Sequence, residues 1–257
     1  MSASSEPRRP ESGRAGSGEY LLAVETSTTT SSVAVVSSEG VRVEITLGLT
    51  SSHSDSLLGA IDHALAQASL GISDLAGLAV SVGPGSFTGL RIGLATVKGL
   101  AEAHPLPIVA VSSLEVLAMN APAGPMRVCP ALDARKGEIY AALYAWESGA
   151  AGWRTLVAEG AWTPEALAKR LEDAGGDVLL LGDGAAAYKA HFIASLGDGV
   201  RFAEGPANQP RAAWVGWLGL RDLQAGRTED PLTLVPRYLR QSAAELAWAR
   251  RSRRGKA

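Results

Sequence analysis

At 257 residues the chain is long enough for one large domain or two modest lobes, and its 46% hydrophobic content lets it bury a core. A formal net charge of −2 gives no overall pull toward nucleic acid or an anionic membrane, so any RNA contact must come from a local patch or a partner. The single cysteine, Cys129, excludes an internal disulfide and a cysteine metal cluster and is expected to be a packing residue. No run reaches the ~20 apolar residues of a membrane span. Residues 1–19 lack the apolar core of a signal peptide, and their Ser, Gly, Pro and charge content predicts a disordered extension. A cytoplasmic location without membrane contact is expected.

From Tyr20 onward, "YLLAVETS", "SSVAVVSS" and "VRVEITLG" read as three strands of an antiparallel meander. The period then changes. Leu57, Ile61 and Leu65 recur at helical spacing, with Leu58 widening the stripe, over a helix from about Ser54 to Leu70. "LAGLAVSVG" reads as a buried strand, followed by a glycine turn, a second helix over 86–103, the strand "PIVAV" and the short helix "SLEVLAMNA". "APAGP" at 121–125 marks a boundary. Beyond it "MRVCPALDA" and "GEIYAALYAW" form a second hairpin; "TPEALAKRLEDAG" reads as helix, "DVLLLG" as strand and "DGAAAYKAHFIASL" as helix. A meander followed by strand–helix–strand units, repeated in reduced form, indicates an α/β chain of two lobes. The basic end "RRSRRGKA" reads as a solvated tail or an RNA-backbone contact.

The segment "SVGPGSFTGLRIGLATVKGLA" carries the sharpest signal. A helix N-terminus with glycines before it can hold an anion, yet neither the P-loop Lys-Ser/Thr nor G-x-G-x-x-G spacing follows. Phe87, Leu90, Leu94 and Val97 form an apolar stripe, while Gly89 and Gly93 lie one turn apart on another face. Each interior glycine costs about 1 kcal/mol against alanine, so close packing must offset the loss. That packing can be internal to the chain or against another chain.

In order along the chain, "LLAVETSTTTSSVAVV", "SSHSDSLL", "VSVGPGSFTGLRIGLATVKGLA", "VAVSSLEVLA", "LDARKGEIY" and "VPRYLR" resemble the TsaB (YeaZ) family, from about Tyr20 to Arg240. These are non-catalytic subunits of the bacterial machinery that makes threonylcarbamoyladenosine (t6A) at tRNA adenosine 37. The resemblance implies the two-lobe fold of the actin, Hsp70 and sugar-kinase superfamily (ASKHA). It implies an N-terminal lobe over 20–122, a smaller degenerate lobe over 123–240 and a basic tail over 241–257. It also implies no catalytic residue, no cofactor and no metal.

The expected partner is the catalytic TsaD-type paralogue, held as a heterodimer through the two helices by Leu57, Leu58, Ile61, Leu65, Phe87, Gly89, Leu90, Gly93, Leu94 and Val97. A TsaE-type P-loop ATPase would join a larger complex, tRNA would be met only through that complex, and the lone chain would form a homodimer. Degenerate nucleotide-site residues would be Glu25, Thr26 and Ser27 in the first hairpin, Asp133 in the second, and Gly182 and Gly184 in the adenosine loop. Ser113 and Leu117 stand where the catalytic relative has its metal-binding histidine pair. The competing reading is a small ATPase or kinase of the same superfamily working alone. A metallopeptidase fails for want of ligands.

Overall fold

The computed structural model describes residues 19–48, 53–147 and 152–240; the expected N-terminal extension, but for Glu19, and the basic tail lie outside the described residues. The meander forms β1 (Tyr20–Glu25), β2 (Thr30–Ser37) and β3 (Gly40–Gly48). The helix α1 (His53–Ala68) then leads to β4 (Leu75–Gly83), and α2 (Phe87–Ala103) leads to β5 (Ile108–Ser112). The first sheet has the order β3-β2-β1-β4-β5, antiparallel across the meander and parallel from β1 through β5.

After α3 (Ser113–Ala118), the plan repeats with β6 (Arg127–Arg135), β7 (Glu138–Glu147), β8 (Gly152–Trp162), α4 (Pro164–Ala174) and β9 (Val178–Leu181). The expected single helix after β9 is two, α5 (Asp183–Ala187) and α6 (Lys189–Leu196), before β10 (Val200–Phe202). The second sheet, β8-β7-β6-β9-β10, has the pairing pattern of the first. A repeated lobe of this topology is the two-lobe α/β architecture expected from the sequence.

Alternation along the strands divides the first sheet cleanly. Leu22, Val24, Leu78 and Val80 face α1 and α2, which bury Leu57, Ile61, Leu65, Leu94 and Val97 against them. Leu21, Ala23, Ala79 and Val111 face the other way, toward α7 (Ala212–Gln224). A second lobe running from 123 to 240 would include α7, but α7 packs on the first sheet. Its composition explains this. A side chain at Gly216 would collide with Val36, and one at Gly219 with Ala79 and Leu21, so the two glycines let the helix settle onto the strands. Between the sheets lies α3, which sends Val116 toward α7's layer and Leu114 and Leu117 into the second lobe.

Candidate functional site

The parallel strands of the first sheet end together beside the second lobe, where α/β folds place their ligands. β1 ends in Glu25, and the turn that follows is pulled inward: Glu25, Thr26 and Ser27 are all buried. One carboxylate oxygen of Glu25 accepts from the Ser27 amide, while Oε2 has no hydrogen-bond partner. Burial pushes the Glu25 carboxyl above its ordinary range, and Ser27 and Ser81 offset only part of that.

This turn is what the glycine helix is shaped to receive. A side chain at Gly89 would meet the Thr26 carbonyl oxygen, one at Gly93 the Thr26 hydroxyl, and one at Gly85 the Ser27 carbonyl oxygen. The Ser86 amide donates to Ser27 O at 2.7 Å, and Ser86 Oγ caps the helix by accepting from the Gly89 amide at 3.2 Å. The notches of α2 are therefore filled from within the chain. Of the two readings of the glycine segment, close packing holds, but its partner is Thr26 and not another protein.

Above the turn, a cleft of about 240 Å³ separates Ser27, Thr28 and Ser86 from Asp133, Arg135 and Asp183 of the second lobe. Asp133 is already engaged, accepting from the Arg135 amide at 2.8 Å and its guanidinium at 3.0 Å. Asp183 accepts from the Asp133 amide at 2.9 Å. Gly182 and Gly184 pack against the backbone of Ala131 and Leu132, and the Gly182 amide donates to Asn208 at 2.8 Å.

Of the residues proposed for a degenerate nucleotide site, Ser27 and Asp133 thus line the cleft, Glu25 and Thr26 lie beneath it, and the two glycines serve the second lobe's own packing. Only two of these six residues therefore face the cleft. Glu25 and Thr26 are buried, Asp133 is held by Arg135, and at the head of α2 the Ser86 and Gly89 amides already donate within the chain. Arg135, a charged residue of the "LDARKGEIY" motif, and Asp183, which lies between Gly182 and Gly184, line the cleft too.

The helix residues predicted to touch a partner separate into two groups. Leu57, Ile61, Leu65, Leu90, Leu94 and Val97 are buried in this chain, as are Gly89 and Gly93, so none of them forms its surface. Leu58 and Phe87 are exposed, at 51% and 44%. α1 and α2 lie side by side, and their outer surface also holds Gly59, Ala66, Ala95 and Gly99. A Cβ at Gly59 or Gly99 would meet nothing within 4 Å. Sequence periodicity missed these positions because it selects the apolar stripe, which the chain's own sheet consumes; the outward residues are small rather than greasy.

Ser113 and Leu117 are buried in α3, and among the described residues no three His, Cys, Asp or Glu side chains gather as a metal would need. Cys129 is fully buried, and burial pushes its thiol up to about 12, so it is an unreactive packing residue. No helix among the described residues is long and apolar enough to cross a membrane.

Comparison with known proteins agrees with this geometry. Residues 48–248 match the family model described as TsaD, tRNA N6-adenosine threonylcarbamoyltransferase. The tRNA threonylcarbamoyladenosine biosynthesis protein TsaB of Bacillus subtilis is 32% identical over 89% of this chain and 97% of its own length. The TsaB of Escherichia coli is 30% identical over 87% and 96%. The structure of YeaZ from Pseudomonas aeruginosa superposes with a TM-score of 0.73 at 29% identity, covering 86% of this chain and all of that one. With the repeated two-lobe fold, near-complete coverage of these relatives and the glycine helix seated on its own hairpin, the chain belongs to the TsaB (YeaZ) family.

Proposed function

We propose that this chain is an assembly subunit in tRNA threonylcarbamoyladenosine biosynthesis. Its full-length relatives are biosynthesis proteins for that nucleoside, and family membership places the chain in the same pathway. In this reading it performs no chemistry itself. It pairs with a TsaD-type transferase through the outer face of α1 and α2 and holds that enzyme in a competent state. A TsaE-type ATPase and the tRNA meet the pair as a larger complex, and the lone chain covers the same face by forming a homodimer.

One observation carries the proposal: a helix pair with an exposed leucine and four small outward residues stands open, while the glycine notches of α2 are filled by the chain's own Thr26. Small side chains let a facing helix approach closely, and an exposed apolar side chain is a ready anchor. The burial of Glu25 beneath the cleft counts against the competing ATPase or kinase reading, which requires ATP turnover by the isolated chain that Glu25→Ala abolishes.

Leu58→Glu and Ala95→Glu test the surface by titration calorimetry against the organism's TsaD-type transferase. Both positions are exposed, so the fold is retained. Each variant is expected to weaken binding at least ~30-fold, the effect of losing a central anchor. Unchanged affinity in both would refute this interface. Leu94 and Val97 are unsuitable for such a test, since a charge there would unfold the first core.

A further inference from the structure

The motif "VPRYLR" has no part in the site described above, yet it is bonded to both lobes. After α7 the chain returns along the first lobe. The Glu229 amide donates to Ile108 O at 2.8 Å, Lys98 Nζ donates to Leu234 O at 3.1 Å, and Leu234 is buried in the first core. The Arg237 amide then donates to Val82 O at 2.7 Å, at the end of β4. Tyr238 stacks on Phe87 with ring centroids 5.2 Å apart, and its hydroxyl accepts from Arg91 Nε at 3.0 Å.

The side chains of the same segment reach the second lobe. Arg237 pairs with Glu159 of β8 at 3.1 Å, and the other oxygen of Glu159 is bonded to the Ser112 hydroxyl of the first lobe. Arg240 pairs with Glu138 at 2.8 Å and donates to Ala134 O at 3.4 Å, gripping the β6–β7 hairpin that forms the far wall of the cleft.

We propose that residues 229–240 are a strap that locks the two lobes at one angle, with Arg237 as the rivet: its backbone is bonded to the first lobe and its guanidinium to the second. Single ion pairs at such exposure are weak. Here two of them are borne three residues apart on a backbone already fixed to the first lobe, so closing one leaves little entropy to lose in closing the other. The cleft width between Ser27 and Asp133 is then set by the strap, and the chain presents the outer face of α2 as part of one rigid body. This inference is independent of the proposed pairing, and its test uses the isolated chain.

The test is a spin-label distance measurement on the full chain, diluted with unlabelled chain so that only distances within one molecule are read, with nitroxides at Thr46→Cys on β3 and Lys169→Cys on α4. Both positions are exposed, and the buried native Cys129 is inaccessible to the label. The intact strap is expected to give one narrow distance. Arg237→Ala with Arg240→Ala is expected to broaden and shift the distribution and to raise amide exchange in residues 132–137 roughly tenfold. An unchanged distribution and unchanged exchange in a variant that still melts cooperatively would overturn the proposal. Should that double variant fail to fold, Glu138→Gln with Glu159→Gln removes the same charges from the second lobe and leaves the strap intact. It is expected to broaden the distance in the same direction, and a narrow, unmoved distance there would equally overturn the lock.

Discussion

Gly89→Ala lowers the stability of the isolated chain by about 1–3 kcal/mol, the usual cost of forcing an extra methyl into a filled space. This runs against intrinsic preference, because alanine favours a helix by about 1 kcal/mol over glycine. The new Cβ would meet the carbonyl oxygen of Thr26, a backbone atom in a buried turn whose neighbours Glu25 and Ser27 are buried too, so the turn has nowhere to retreat. Gly99→Ala, on the same helix but facing open space, is the matched control and should gain up to about 1 kcal/mol. Urea unfolding of the two variants separates the accounts. Opposite signs place the packing inside the chain. Were Gly89→Ala to stabilise the chain as Gly99→Ala does, the notch would be empty in the isolated protein and kept for another molecule.

The second large effect is a pH dependence centred on Glu25. Its carboxyl is fully buried and burial raises its pKa above the ordinary 4.5, so the folded chain holds a proton that the unfolded chain releases. The sign follows from linkage. The contribution is fully present below about pH 4.5 and is lost as pH rises through the raised value, after which the folded state carries a buried charge. Glu25→Gln keeps an oxygen to accept from Ser27 and puts an uncharged amide where Oε2 now has no partner. The melting temperature of the variant should therefore exceed that of the native chain by a margin that grows from pH 5 to pH 8. Each unit of pKa elevation contributes about 1.4 kcal/mol, and each kcal/mol roughly 2–4 °C in a chain of this size. A margin that stays flat with pH would mean that Glu25 is ionised in the fold and stabilised by neighbours. A phosphate hairpin in use would need that ionised acid.

What the sequence made legible was whatever the period of burial writes directly. The meander, the two crossover helices and the second hairpin follow from alternation and from the i, i+4 spacing of Leu57, Ile61 and Leu65. β8 and α7 escaped notice for a physical reason. β8 mixes charged and apolar residues around a bulged register with β7, and α7 carries Gly216 and Gly219 where a helix signal expects bulk. The destination of α7 on the first sheet depends on tertiary fit between those glycines and Val36 and Ala79, which no local pattern encodes.

The glycine helix shows the limit most clearly. The sequence established that Gly89 and Gly93 must be closely packed, because three helical glycines are too unfavourable otherwise. It could not establish what they pack against, since Thr26 lies about sixty residues away and is recognisable only after the hairpin has folded beneath α2. The apolar stripe faces the core; of the α1 residues expected at the interface only Leu58 faces out, beside Gly59, Ala66, Ala95 and Gly99.

A chain that works by pairing through α1 and α2 must change the mass of its partner in a mixture. Light scattering after size exclusion would be run on the chain with an equimolar amount of its organism's TsaD-type transferase, at tens of micromolar and without nucleotide. A single species with the mass of a one-to-one heterodimer is expected, replaced by two separate species when Leu58→Glu is used. Two separate species from the native proteins, with or without added ATP, would contradict the pairing.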